Sequence, residues 1–376
     1  MPEFTRRTML KGAAAGLAFP MISRGNFAFA AAPGRTYSAR AIKVVRESLV
    51  IDMLAPLKLD FDPKFFDHPF GPADLAKFKA SGITGFHHSV GIGGPGAKTQ
   101  ALDYLASYQG WVGRQADDFT LVGTVADLDH AKAEGKAAII MGLQNAEQFE
   151  TADDVQYFYR LGLRCAQLTY NSQNMIGSGS TDRADGGVSD FGEEIIKAMN
   201  KVGMLVDTSH CGERTTLDAI ALSPKAIAVT HSNCKALNPH PRNKSDEVIR
   251  NLAAKGGVMG ITGVRMFIKA KDPTTVSDMA DHIDHVAKLV GIEHVGIGSD
   301  ADLDGYDDMP PDQYKQLKAS YKASYAFRDK IDIDGFDHPQ KIFDLTEQLI
   351  RRGYSDDNIR LVLGGNFRRL LGATWS

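Results

Sequence analysis

Met204-Leu205-Val206-Asp207-Thr208-Ser209-His210 and Ala226-Ile227-Ala228-Val229-Thr230-His231 decide the fold. Each is a short aliphatic run that turns polar and closes on a histidine. Between them, Thr215 to Leu222 repeats apolar side chains at three-to-four-residue intervals. A run of that length reads as a buried strand and the intervening period as a helix. The pair is therefore one parallel βα unit with the same polar ending on both strands.

Six further runs of the same kind flank it. They are Leu49-Val50-Ile51-Asp52, Ile83-Thr84-Gly85-Phe86-His87-His88, Ala138-Ile139-Ile140-Met141-Gly142-Leu143, Arg164-Cys165-Ala166-Gln167-Leu168-Thr169, Gly257-Val258-Met259-Gly260-Ile261-Thr262 and Val295-Gly296-Ile297-Gly298-Ser299. Ser189 to Val202, Lys244 to Lys255 and Val276 to Val290 add helical patterns between them. Eight alternating units in ~270 residues predict an α/β chain closed as a (β/α)8 TIM barrel rather than an open doubly wound sheet. No Gly-x-Gly-x-x-Gly follows the first strand, which speaks against a dinucleotide site. The expected division is a signal over residues 1–32 and one barrel domain over 37–376. The Asp-, Tyr-, Lys- and Pro-rich stretch from Asp302 to His338 reads as an insertion.

The 376-residue chain carries 43 basic and 46 acidic side chains, a formal charge of −3. That balance, with no basic run of five or more, excludes a general nucleic-acid surface. Cys165, Cys211 and Cys234 are too few and too dispersed for a disulfide framework or a thiolate zinc site. They read as small buried residues, with one free thiol left over if the protein is exported.

Thr5-Arg6-Arg7-Thr8-Met9-Leu10-Lys11 pairs two arginines ahead of an apolar stretch, Gly12 to Phe19, and Ala28-Phe29-Ala30 has the form of a cleavage site. This predicts a twin-arginine export signal and a periplasmic or secreted protein. The apolar stretch is too short, and too broken by Gly and Pro20, for a permanent span, and no later segment reaches the ~18 apolar residues a span needs.

In a βα barrel the chemistry sits where strands end. The residues just past the runs include Gln144, Tyr170, His210, His231 and Asp300, which such a fold converges on one rim. His210 and His231, at equivalent ends of neighbouring strands, suit paired metal ligands, since imidazole is a preferred donor for zinc and similar ions. Asp300 is placed for proton transfer or as a further ligand, with capping of its loop as the competing role. Arg242 suits a bidentate clamp on a substrate carboxylate, or a surface ion pair.

At these residues the sequence resembles the membrane dipeptidase (renal dipeptidase-like, M19 peptidase) family of zinc-dependent barrel hydrolases. The similarity runs over roughly residues 45–372. It is most specific in "FGEEIIKAMNKVGMLVDTSH", "THSNCKALNPHPRN", "KGGVMGIT", "HVGIGSDAD" and "LVLGGNFRRLL". The resemblance implies that His210 and His231 hold one zinc, that Arg242 lies in the substrate pocket and that Asp300 is the acid/base aspartate. Three departures stand out. Where the family writes "DGHND", this chain writes "IDMLAP", keeping Asp52 but placing Leu54 and Pro56 at the metal-binding His and Asp. Gln144 replaces the glutamate that bridges two zinc ions, and Tyr170 replaces a common active-site histidine.

A neutral amide cannot supply negative charge between two dications, and Leu54 and Pro56 cannot ligate through their side chains. The expectation is therefore at most one zinc per chain, held by His210 and His231 with Gln144, Asp300 or water completing four ligands. His87, His88 and Glu147 are candidate replacements. The resemblance implies an exported dipeptidase that cleaves dipeptides or small N-acyl amino acids. In it Asp300 moves the proton, Arg242 holds a carboxylate and Tyr170 donates to the oxyanion. The alternative is a hydrolysis-deficient binding or accessory protein, or a metal-independent enzyme acting on a secreted small molecule. A homodimer is expected from the resemblance alone.

Overall fold

The computed structural model describes residues 30–31, 35–60 and 63–375. The export signal expected over 1–32 lies, apart from Ala30–Ala31, outside the described residues. Eight parallel strands form a ring: β1 (Ile51–Asp52), β2 (Gly85–Val90), β3 (Ala137–Leu143), β4 (Cys165–Gln167), β5 (Leu205–Asp207), β6 (Ala228–Ser232), β7 (Val258–Ile261) and β8 (Val295–Ile297). Neighbours run β2-β1-β8-β7-β6-β5-β4-β3, and β3 pairs back on β2 from Gly85↔Ala138 to Val90↔Leu143, closing the barrel. All eight coincide with the apolar runs of the sequence. A ninth strand, Phe119–Leu121, was not expected; it pairs with the first residues of β3, whose later residues pair with β4.

The helices follow from local chemistry. Asp127, Asp154 and Asp278 accept the N–H groups of Thr124, Thr151 and Thr275 at 2.7, 2.9 and 2.8 Å, each closing the start of a helix whose first-turn donors lack internal partners. Alternate strand residues Ala138, Ile140, Cys165, Leu205, Ala228 and Val258 cluster with Phe367, Leu370 and Leu371 of the C-terminal helix, Asn366–Thr374. Gly296 makes room, since a Cβ there would lie 2.5 Å from the Phe367 ring. This apolar cluster gathers the early residues of the strands, leaving polar side chains to their C-terminal ends. All three cysteines are buried and unpaired.

One irregularity shapes the site. Met259 pairs with Val229 and Ile261 with Ser232, so Thr230 and His231 together oppose the single Gly260. Such a bulge turns consecutive side chains toward one side, and Thr230 Oγ1 lies 2.9 Å from His231 Nδ1. A Cβ on Gly260 or Gly298 would come within 1.9 or 2.0 Å of the Thr230 carbonyl oxygen, so the two strands beyond the bulge must be bare there.

The stretch after β8 holds the helix Pro311–Ala319 and two short turns, Tyr306–Asp308 and Ala323–Tyr325. Tyr325 and Ile331 pack with Val264, Met266 and Phe267 in a separate apolar cluster. That packing lays the segment across the barrel mouth. Among the described residues, no helix is long and apolar enough to cross a membrane.

Candidate active site

Two strand-end braces build the mouth. At the β5–β6 end, the buried Asp207 accepts through Oδ1 from the N–H groups of Ser209 and Thr230, both at 3.0 Å, and through Oδ2 from Thr230 Oγ1 at 2.7 Å. Lys244, 3% exposed, donates to the carbonyls of Thr208 and Cys211 at 2.8 and 2.9 Å, gripping the loop that carries His210. Burial lowers its pKa to about 8. At the β8–β1 end, Asp52 Oδ1 accepts from Ser299 N–H at 2.7 Å and Leu54 N–H at 3.2 Å. Lys341, 1% exposed, donates to the carbonyls of Ala301 and Asp302 at 3.3 and 2.8 Å, gripping the loop that carries Asp300. Sequence reasoning did not single out Asp207, Lys244 or Lys341. Their only signal was a charged residue beside an apolar run.

His210 and His231 converge as expected, with Nε2 atoms 2.9 Å apart and both rings buried. Their other nitrogens settle the tautomers. Asn171 Oδ1 accepts from His210 Nδ1 at 2.8 Å. Thr230 Oγ1 donates its proton to Asp207, so it accepts from His231 Nδ1. With those tautomers both Nε2 atoms turn lone pairs toward each other, leaving room for an electrophile, while a proton on either Nε2 joins the rings by a hydrogen bond at the same distance. Burial, with the positive charge of Arg242, pushes both rings well below the ordinary imidazole pKa.

Asp300 and Asn171, both at φ 60°, are non-glycine residues in the left-handed region, which Asp and Asn tolerate better than other side chains. Burial raises the Asp300 carboxyl to about 7 against the pull of Arg242, and Tyr306 donates to its Oδ1 at 3.3 Å. Tyr170 stacks on His210 with ring centroids 4.2 Å apart, and its hydroxyl bonds to that of Tyr321. Burial keeps the Tyr170 phenol protonated far above neutrality. Gln144 anchors its amide nitrogen on the Ser89 carbonyl at 3.1 Å. Gln144, Tyr170, His210 and Asp300 line one inner cavity of about 50 Å3, roofed by Tyr306, Tyr321 and Tyr325.

Other expectations are corrected. Arg242 is fully buried (0% exposed) and does not reach the cleft; its guanidinium donates to the carbonyls of Ser209 and His231. It fastens the two histidine-bearing loops, where a carboxylate clamp was expected. None of the replacement ligands joins the histidine pair. His87 Nδ1 donates to the Met53 carbonyl at 2.7 Å while its Nε2 occupies the space left by Gly142. His88 is held by Leu57 N–H at 3.1 Å. Glu147 accepts from the Gly94 N–H, and His88 and Glu147, like His87, stand apart from any metal group.

A closed parallel barrel with paired imidazoles and an aspartate at its C-terminal mouth places its reactive side chains where barrels of this class carry their chemistry. The chain belongs to the membrane dipeptidase family, peptidase family M19, whose model matches residues 38–320. It is 34% identical over 278 residues to dipeptidase verJ of Clonostachys rogersoniana, covering 73% of this chain and 64% of that one. The match thus spans just under two-thirds of the relative's length. A crystal structure of an amidohydrolase from Pseudomonas aeruginosa superposes with a TM-score of 0.77 at 31% identity, covering 89% of this chain and 99% of that one. The probable dipeptidase PvdM from the same organism shares the fold, at 21% identity and a TM-score of 0.73, over 89% and 98% of the two chains.

The family implies a metal ion. His210 and His231 offer a cation two nitrogens, Gln144 and Asp300 line the cavity that His210 enters, and among the described residues no third His, Cys, Asp or Glu converges with the pair. Leu54 is 1% exposed in the apolar interior, Pro56 lines the cleft wall, and no group of three or more His, Cys, Asp or Glu side chains converges among the described residues.

Proposed function

We propose that this protein hydrolyses the amide bond of a dipeptide-like or N-acyl amino acid substrate with a single divalent ion, zinc, and does so after twin-arginine export. The observation that carries the reading is the pair of lone-pair-bearing Nε2 atoms 2.9 Å apart beneath the inner cavity. His210 and His231 would hold the ion, with Gln144 as the oxygen donor. When bound, such an ion polarises a carbonyl and acidifies water.

The chain's own groups supply the rest. Asp300, with a pKa of about 7, can both take and return a proton near neutrality, as a shuttle to a leaving amine requires. Tyr170 holds a protonated hydroxyl beside His210, where it would donate to a developing oxyanion once released from Tyr321. Arg242 holds the ligand loops and contributes its charge from below. The test is elemental analysis of the purified protein alongside a panel of dipeptides and N-acyl amino acids. One metal per chain and hydrolysis of a panel member are expected; a protein that holds no metal and cleaves no member of the panel sinks the proposal.

Leu54, Pro56 and Gln144 favour a second reading, a binding or accessory protein that keeps the pocket without the hydrolysis. Alanine at both His210 and His231 separates the two. An accessory protein keeps its ligand affinity, whereas the enzyme loses metal and activity together.

A further inference from the structure

The cavity beside His210 measures about 50 Å3, but it shares Gln144, Tyr170, Asp300 and Tyr306 with a cleft of about 1,110 Å3. Sites for drug-sized ligands run to roughly 300–1,000 Å3. This cleft exceeds what two small amino acids would fill. Its far wall is aromatic. Phe66 lines it with Tyr104 and Tyr108, whose ring centroids are 5.1 Å apart, and the His88 ring lies 3.9 Å from Tyr108.

The charges point the same way. A free dipeptide brings a carboxylate that needs a cation, yet Arg242 is withdrawn from the cleft. Of the lysines lining it, Lys58 lies 3.0 Å from Asp304 and Lys322 lies 3.4 Å from Asp182. Both are thus already engaged.

We propose that the cleft binds an amide whose body is bulky, aromatic or cyclic and uncharged, an N-acylated or end-capped peptide in place of a free dipeptide, seated against the ring faces of Phe66, Tyr104 and Tyr108. The bond to be cut rests on the hydrolytic reading above; the binding stands without it. Calorimetry compares L-alanyl-L-alanine with N-(2-naphthoyl)-L-alanine methylamide on the purified protein, and zinc-dependent hydrolysis of both is then followed. The naphthoyl amide is expected to bind at least tenfold more tightly. Tyr108→Ala, which removes one aromatic face of the wall, should weaken it at least fivefold. Ser107→Trp, which fills the cleft from a half-buried position on the helix Ala97–Gly113, should weaken it at least tenfold, and serves if the first variant does not fold. Equal or tighter binding of the free dipeptide, or naphthoyl binding untouched by both variants, overturns the inference. Tight naphthoyl binding with no hydrolysis of either probe upholds it and overturns the hydrolytic reading instead.

Discussion

The β5–β6 and β8–β1 ends of the barrel are built alike and equipped differently. Each has a buried aspartate bridging two strand ends, Asp207 in one and Asp52 in the other. Each has a buried lysine gripping loop carbonyls, Lys244 and Lys341. The first end delivers two imidazoles into one space; the second delivers Asp300, followed across the brace by Leu54 and Pro56. The same bracing frame is thus present on both sides, and paired imidazoles on only one. Framework and chemistry are separable in this fold. Burial and hydrogen bonding hold the loops whether or not they carry donors for a metal.

The contrast can be broken most severely at the equipped end. His231→Ala leaves a single imidazole, and bound zinc, measured by elemental analysis, should fall below stoichiometry. Amide hydrolysis should drop with it by roughly three orders of magnitude or more, the scale on which essential groups act. Activity unaffected by the loss would show that the pair is not the working centre.

Asp300→Asn tests the other end, with kcat expected to fall by about 10²–10⁴, the usual worth of a positioned proton-transfer group. Asn tolerates the left-handed backbone, so the fold should survive. A second readout comes from stability with chelator present. The folded pKa of about 7 lies above the ordinary 3.8. Between those values the folded chain holds a proton that the unfolded chain has released, so stability should decline as pH rises from about 4 to about 7, by up to a few kcal/mol. Denaturant melts of the asparagine variant should lose that slope.

The distance at which His210 is governed can be read at Asn171. Asn171→Ala removes the acceptor on Nδ1 and should weaken zinc binding about 10–100-fold in a competition titration. The smallest effect is expected at Gln144. Gln144→Glu should tighten a single zinc by about tenfold, ~1.4 kcal/mol, while the metal content stays at one per chain. Two ions in that variant would mean that Leu54 and Pro56 do not limit the site.

All eight barrel strands were legible because strands buried on both faces are largely apolar before their polar C-terminal ends, as Leu205-Val206 and Ala138 to Leu143 are. Phe119–Leu121 escaped because three residues are too few to show a period. His210 and His231 were legible from position alone, since a barrel converges its strand ends. Arg242 was placed in the right neighbourhood, and its bonds to the Ser209 and His231 carbonyls were not foreseen. A sequence shows that a guanidinium is near, and only packing shows which way its donors turn. Asp207, Lys244 and Lys341 were invisible for the same reason. A charged side chain is read as exposed until the structure shows carbonyl oxygens and amide groups gathered around it.

The bare positions at Gly260 and Gly298 carry a consequence for how this centre could be lost. Neither residue meets a substrate or offers an atom to an ion. Yet a single added methyl on either would press on the Thr230 carbonyl and rotate the imidazole beside it out of line. A survey that looked only at donor side chains would pronounce such a mutant intact, though the spacing of its paired imidazoles had been dismantled from the neighbouring strand.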